Sequence, residues 1–560
     1  MQLSIFSKRI WLIFFIAITL FYLYGLGSIP LLGPDEPRYA QVAREMYEGG
    51  DWVTPTLGGY TWFEKPALLY WFQILFYSIF GVSEFSARLG SALSGLITAF
   101  ALYLLGKKVE HTIENRKSKI ENQTNRQSAI GNWQFLVFAV SIGTIVFSRA
   151  ASFDIILTMP VAVSLCFFFA SDIETDEKKK RWFLALYWAF MGVALLAKGL
   201  VAIIICGGVV FWYFAIQRRL PEKKTLLSLS WGVPLCLIVA SAWYAPVIVQ
   251  NGWKFIDEFF TQHHFARYTS NKYMHPQPFW FFFLVAPLLV FPWTPFLIQA
   301  IWKTKNIEWR KIEAVEDRFR LFALVWLVLP VVFFSLSGSK LPGYILPVLP
   351  AIALLVGNHI GNEDKANVMR VTAVILLLIS IGGAVYVLRK TDVSALCVFF
   401  VFAPVCTAGA FALFNNEGNQ ETIRNPQSAI RIYLIACAVL LSCIAALNCL
   451  APAFARRDSV RDLITVANTR GYKSNPVLGL HTVSHSAEFY APKRLWRESE
   501  GKQKRFESVP EVVEVSRKGK QMVLVLVPLE HLKQLTESKD VYTEVISDNG
   551  ELAIVAVGAR

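Results

Sequence analysis

Residues 67–80 read ALLYWFQILFYSIF (Ala67–Phe80), apolar and aromatic throughout except for Gln73 and Ser78. At 14 residues the run is short for a full bilayer crossing, which takes about 20. If it crossed, the basic loop 107–132 would lie outside, and no later basic loop would agree with it. If it lies in the interface or re-enters, the other apolar stretches fall into register at 10–27, 86–106, 133–149, 152–170, 182–197, 199–217, 226–249, 279–302, 320–337, 344–360, 370–388, 393–414 and 431–450. The expected architecture is therefore polytopic and α-helical, with about 13 transmembrane helices, the N-terminus inside and the C-terminus outside. The basic loops 107–132, 171–181, 217–224 and 303–320 then share the cytoplasmic side, as the positive-inside rule requires.

Composition agrees. Of 560 residues, 54% are hydrophobic and 17% charged, against roughly 25% charged in an average soluble protein, which excludes a purely soluble enzyme. The net charge of +14 is not a nucleic-acid footprint, because the basic residues sit in short loops between apolar stretches and no groove-reading motif accompanies them. The eight cysteines lie in apolar segments without a CxxC, and read as small core residues, neither a disulfide frame nor a metal site. Lys8 and Arg9 precede the first apolar run, which reads as a retained first helix in preference to a signal peptide. Residues 1–450 form the expected membrane domain, with outer loops at 28–66 and 250–278. Residues 451–560 change character: RRDSVRDLITVANTRG is helical, while PVLGLHTV, QMVLVLVP and YTEVIS paired with ELAIVAV across Asp548-Asn549-Gly550 are strand-like, a small extracytoplasmic α/β domain.

The outer face carries Asp35, Glu36, Arg38, Tyr39, Glu64, Lys65, Arg88, Arg149, Asp154, Lys198, His263, His264, Arg267, Lys340 and Tyr344. Charges at membrane level are costly, so a convergent set marks a site. Here they sit in stiff, aromatic, Pro-flanked text: GPDEPRYAQVAREM, GGYTWFEKPALLYW, HHFARYTSNKY and SGSKLPGYILPVLP. Pro37 suits the start of a helix, placing Asp35 and Glu36 at its N-terminus, where anions are favoured, with Arg38 and Tyr39 three and four residues on. Taken alone, Asp35 is equally an ordinary cap, Glu64–Lys65 a surface ion pair and the neighbouring histidines solvated. Taken together, Lys65, Arg267, Lys340 and Tyr344 suit a phosphate whose lipid tail lies between helices, and a carboxylate suits the attacking group.

The order PDEPRYA, FEKPALLYW, the Arg88 span start, SRAASFD, AKGLVA, HHFARY and KLPGYILPVLP resembles the aminoarabinose-transferase branch of the GT-C membrane glycosyltransferases, relatives of the protein O-mannosyltransferases. The resemblance covers essentially the whole chain and implies a GT-C fold. It places the essential first-loop acid at Asp35, with Lys65 and Asp154 the other catalytic candidates. It assigns Arg38, Tyr39, Lys198, Arg267, Lys340 and Tyr344 to the lipid phosphate and sugar. It implies a divalent metal (Zn, Mg or Mn) on Glu64 and His264, with His263 as the alternative ligand.

The implied reaction moves a sugar, 4-amino-4-deoxy-L-arabinose or a relative of it, from a polyprenyl-phosphate donor to lipid A or another lipid or glycan acceptor outside the inner membrane. With a hydroxyl acceptor Asp35 is the general base; an ionised lipid A phosphate needs none, and Asp35 then orients the sugar or the metal. The competing readings are a protein O-glycosyltransferase of the same fold and a lipid-linked sugar flippase. Transporters tend to show paired repeats with polar groups at the midplane, whereas these charges cluster at one face and no repeat is visible.

Overall fold

The computed structural model describes residues 2–118, 130–265, 276–307, 309, 312–362, 366–414, 426–499 and 501–560. Each expected apolar stretch falls on helix. Among the described residues nine helices are long and apolar enough to cross a membrane, or up to 11 if two bent pairs each count as one; Trp11–Leu23, Leu68–Phe80 and Val201–Gln217 are shorter apolar helices.

Two stretches expected as single spans are broken. In 133–149, the helices Ile130–Val140 and Ile142–Ser148 bend by 61° at Ser141, whose backbone is extended. In 279–302, Phe281–Leu289 and Thr294–Lys303 bend by 115°. Pro292 sits in that break and Pro295 in the first turn after it, where a proline removes a helical N–H and clashes with the preceding turn.

The chain packs as two compact units. The first comprises residues 1–24, 63–69 and 90–446. Its most enclosed helices are Phe153–Asp172 and Pro342–Gly361, with 89% and 94% of their apolar windows buried, whereas Lys223–Gln262 and Asn367–Lys390 bury 28% each and turn the rest outward. Hydropathy cannot separate these, because lipid accepts apolar side chains as readily as a core does. The expected cytoplasmic loops meet one another: Lys108 pairs with Glu174 at 2.5 Å, Lys180 with Glu222, and Asp172 takes Arg219 at 2.6 Å together with Arg318. Lys108, Asp172, Glu174, Lys180, Arg219, Glu222 and Arg318 therefore lie on one side, as the basic character of their segments requires.

The cysteines depart from expectation. Cys397 and Cys449 are disulfide-bonded, while Cys166, Cys206, Cys236, Cys406, Cys437 and Cys443 are free. Each bonded residue sits near a helix end that the expected topology places outside.

The second unit comprises residues 25–62, 70–89 and 447–560. The short helix Leu68–Phe80 thus gives most of its length to the unit that contains the C-terminal region, where Tyr77 Oη donates to the Ala40 carbonyl at 3.1 Å and Gln73 to that of Ala87 at 3.1 Å. The C-terminal sheet has five strands in the order Arg505–Phe506, Val477–Leu480, Val523–Pro528, Leu552–Ala559 and Val541–Asp548, the first three parallel and the last two an antiparallel hairpin closed at Gly550. Val523, Val525 and Val527 pack into a core with Val512 and Val513 of the helix Val509–Gly519, while Leu524 and Leu526 join Leu463 and Ile464 of Arg461–Thr469. A strand covered on both faces loses the apolar–polar alternation, hence the unbroken VLVLV.

Candidate functional site

Two arginines in the second unit have opposite roles. The first outer loop ends in the helix Asp35–Gly49, with Asp35 and Glu36 in its first turn. Glu36 turns inward to Arg88, which is 1% exposed and gives that carboxylate bonds of 2.9 and 2.8 Å. Arg88 also donates to the carbonyls of Leu26, Ile29 and Pro30 at 2.7–2.8 Å. Arg88 is thus the strut of the loop. Asp35 stays half exposed and holds Arg38 at 2.7 Å, the expected i, i+3 pairing, while Arg38 Nε donates to the Pro34 carbonyl at 2.7 Å and its guanidinium lies 5.6 Å from the Trp62 ring centre. Tyr39, one position on, is buried with its ring centre 6.4 Å from that of Tyr70, so in the helix it serves packing. Nearby His485 is held below the ordinary imidazole value, by desolvation first and by the charge of Arg38 second.

In the first unit, Phe63 is buried edge-on against Phe255 at 5.2 Å, within the cluster of Trp243, Phe255 and Phe259. This anchors the next two residues, and Glu64 and Lys65 form an ion pair at 2.8 Å with only 13% and 10% of their side chains exposed. They are not the solvated surface pair that adjacent opposite charges usually make.

Asp154 stands in the first turn of Phe153–Asp172, whose N-cap Ser152 accepts the Asp154 N–H at 3.2 Å; Lys198 is the last residue of Glu177–Lys198. A carboxylate at a helix N-terminus and an ammonium at a C-terminus are each favoured there, and the two form an ion pair. The Lys198 ammonium also lies 4.5 Å from the centre of the Tyr344 ring. Gly343 brings backbone against this group so closely that a Cβ there would overlap the Asp154 carboxylate. Gly343→Ala is expected to displace Asp154 and to cost about 1–3 kcal/mol, the usual range for overpacking; an unchanged heat-unfolding midpoint of the purified protein would contradict the contact.

Lys340 and Tyr344, four residues apart, do not share an α-helical face, because Pro342–Val348 winds as a tighter 3₁₀ turn after an extended Leu341. The Lys340 ammonium is buried and donates to the carbonyls of Ser337 at 2.7 Å and Gln277 at 3.0 Å, which commits it to backbone. Arg267 and the side chains of His263 and His264 lie outside the described residues. Glu64 faces an ammonium at 2.8 Å, which weakens it as a ligand for a divalent cation, and among the described residues no group of three or more His, Cys, Asp and Glu gathers for one. The Glu64–histidine ligand set therefore falls partly outside the described residues. His485 escapes a sequence reading, since it belongs to no charged motif, and Trp62, though inside GGYTWFEKPALLYW, carries no charge to single it out.

The family model described as dolichyl-phosphate-mannose-protein mannosyltransferase matches residues 64–114. The chain is 32% identical over 367 residues to a Pseudomonas fluorescens protein named undecaprenyl phosphate-alpha-4-amino-4-deoxy-L-arabinose arabinosyl transferase 1, covering 64% of this chain and 61% of that one. It is 30% identical over 364 residues to the Serratia proteamaculans protein of the same transferase name, covering 64% and 60%. The match thus spans about three fifths of these relatives. By structure, the chain superposes on crystalline ArnT from Cupriavidus metallidurans bound to undecaprenyl phosphate with a TM-score of 0.78 at 24% identity, covering 98% of both chains. That likeness fixes the fold.

Proposed function

We propose that this chain, an ArnT-like GT-C membrane protein by fold and by sequence, transfers 4-amino-4-deoxy-L-arabinose or a closely related sugar from an undecaprenyl-phosphate donor to lipid A or another extracytoplasmic acceptor. The observation that carries the reading is the pair of enclosed lysines, Lys65 and Lys198, each matched to one carboxylate in an apolar setting. A cation in such a place suits an anion that arrives with an apolar tail. In the reaction the bond between the sugar C1 and the phosphate oxygen breaks, an acceptor oxygen bonds to C1, and the electron pair leaves on the polyprenyl phosphate. Lys65, with Arg38 and the Tyr344 hydroxyl, stabilises charge developing on that leaving oxygen. With a hydroxyl acceptor Asp35 takes its proton; with a phosphate acceptor no proton moves and Asp35 orients the sugar. The chain's own cations supply this stabilisation.

The same reading places the protein in the inner membrane, N-terminus inside, with the site and the C-terminal region outside. The shared side of the basic loops supports this, as does the disulfide bonding of Cys397 and Cys449, since disulfides persist in oxidising compartments such as the periplasm. The test is transfer from a labelled undecaprenyl-phosphate sugar by purified Lys65→Ala. Loss of one oxyanion-stabilising group is expected to lower kcat about 10²–10³-fold. A wild-type rate removes Lys65 from the site, and movement of the lipid-linked sugar across vesicles without bond transfer would favour a flippase.

A further inference from the structure

The C-terminal region reaches the first outer loop at one well-built point within the second unit. The hairpin Thr56–Thr61 turns at Gly58 and Gly59, both with positive φ, as a two-residue turn of this hand requires. From one side Glu45 accepts the Gly58 and Gly59 N–H groups at 2.7 and 3.1 Å and the Thr56 hydroxyl at 3.0 Å. On the other side lies Arg497, so close that a Cβ on Gly58 would overlap its guanidinium. Arg497 is itself fixed. It pairs with Glu488, which is 4% exposed and also accepts from Gln503 at 2.7 Å, and it donates to the Gly501 carbonyl at 2.9 Å. Tyr60 in turn lies so close to Gly501 that a Cβ there would overlap its side chain. The hairpin closes where the Trp62 N–H donates to the Pro55 carbonyl at 2.8 Å, and the Trp62 ring is the one beneath Arg38, the partner of Asp35.

We propose that Arg497, backed by Glu488, is a positioning residue of the transferase site: it clamps the 56–61 hairpin and, through Trp62, sets the Arg38 guanidinium beside Asp35. The inference rests on the transferase reading above and gives the C-terminal region a part in it. Arg497 touches no substrate. Its planar fork spans Glu488 and Gly501 at once, a geometry that lysine does not reproduce.

The test uses the full-length protein in detergent, as Arg497→Ala and Arg497→Lys, alone and combined with Arg38→Ala. Each single variant is expected to lower kcat roughly 10- to 100-fold, the scale of a small misplacement at a site, with KM for the donor little changed; Arg497→Ala also lowers the heat-unfolding midpoint, because it leaves the buried Glu488 without its cation, whereas Arg497→Lys keeps a cation there and leaves the midpoint little changed. Amide exchange across residues 56–62 should quicken. In the Arg38→Ala background a change at Arg497 should have no further effect on kcat, because the two act in series. Additive losses, or unaltered exchange in the hairpin, overturn the proposal; should Arg497→Ala not fold, Arg497→Lys alone decides. If the wild-type protein transfers no sugar, the transferase reading fails and the positioning role with it, while faster exchange would still establish the clamp as a structural contact.

Discussion

Asp35→Asn is expected to lower sugar transfer by about 10²–10⁴-fold when the acceptor is a hydroxyl, the usual worth of a positioned base, while the heat-unfolding midpoint stays unchanged. The substitution is isosteric, and the geometry explains why the fold should not notice it. Asp35 is half exposed in the first turn of its helix, and Arg38 keeps its bond to the Pro34 carbonyl when Asp35 loses its charge. Asparagine serves a helix N-terminus about as well as aspartate. What disappears is the ability to accept a proton. The size of the loss also reports the acceptor, since an ionised phosphate brings its own nucleophilic oxygen and should suffer much less. Initial rates with a hydroxyl and a phosphate acceptor, measured side by side, decide the matter; equal wild-type rates for both would strip Asp35 of any role.

Arg88→Ala should act on stability with comparable force. Its guanidinium makes five hydrogen bonds, two to Glu36 and one each to the carbonyls of Leu26, Ile29 and Pro30. Removing one partner of a buried pair leaves the other uncompensated, at about 3–5 kcal/mol, and here three backbone acceptors are orphaned as well. The Leu32 N–H, which donates to Glu36 at 2.8 Å, is too little to hold that carboxylate. Low yield and a heat-unfolding midpoint well below wild type are expected in detergent. A midpoint equal to wild type would mean that the loop before Asp35 is held by something else.

Much of this architecture is legible in the sequence because the bilayer punishes departures from it. Long apolar stretches locate the apolar helices, and one stretch too short to cross, residues 67–80, sets the phase of the rest. The hairpin at Gly550 and the doubly covered strand Val523–Pro528 are equally local signals. Breaks are not: a window of hydropathy over 279–302 averages across Pro292 and reads one span where two helices meet at 115°. Spacing misleads for Lys340 and Tyr344, since i, i+4 implies a shared face only in an α-helix, and Pro342 starts a tighter turn. Site charges stand out one by one because each is costly in apolar text. Their partners do not, because Glu36 and Arg88 lie 52 residues apart and Asp154 and Lys198 lie 44 apart. No periodicity links such pairs.

Little of the chain's +14 is expressed at three of the cations of the proposed site. Arg38, Lys65 and Lys198 each sit against one carboxylate, so each pair is close to neutral when seen from beyond a few ångströms. Such pairs cast almost no field into bulk solvent, where salt erases what remains within about 10 Å. An incoming phosphate is therefore not steered from afar. On the proposed reading its polyprenyl tail delivers it through the bilayer, recognition follows on contact, and encounter becomes a matter of lateral diffusion more than of electrostatic capture.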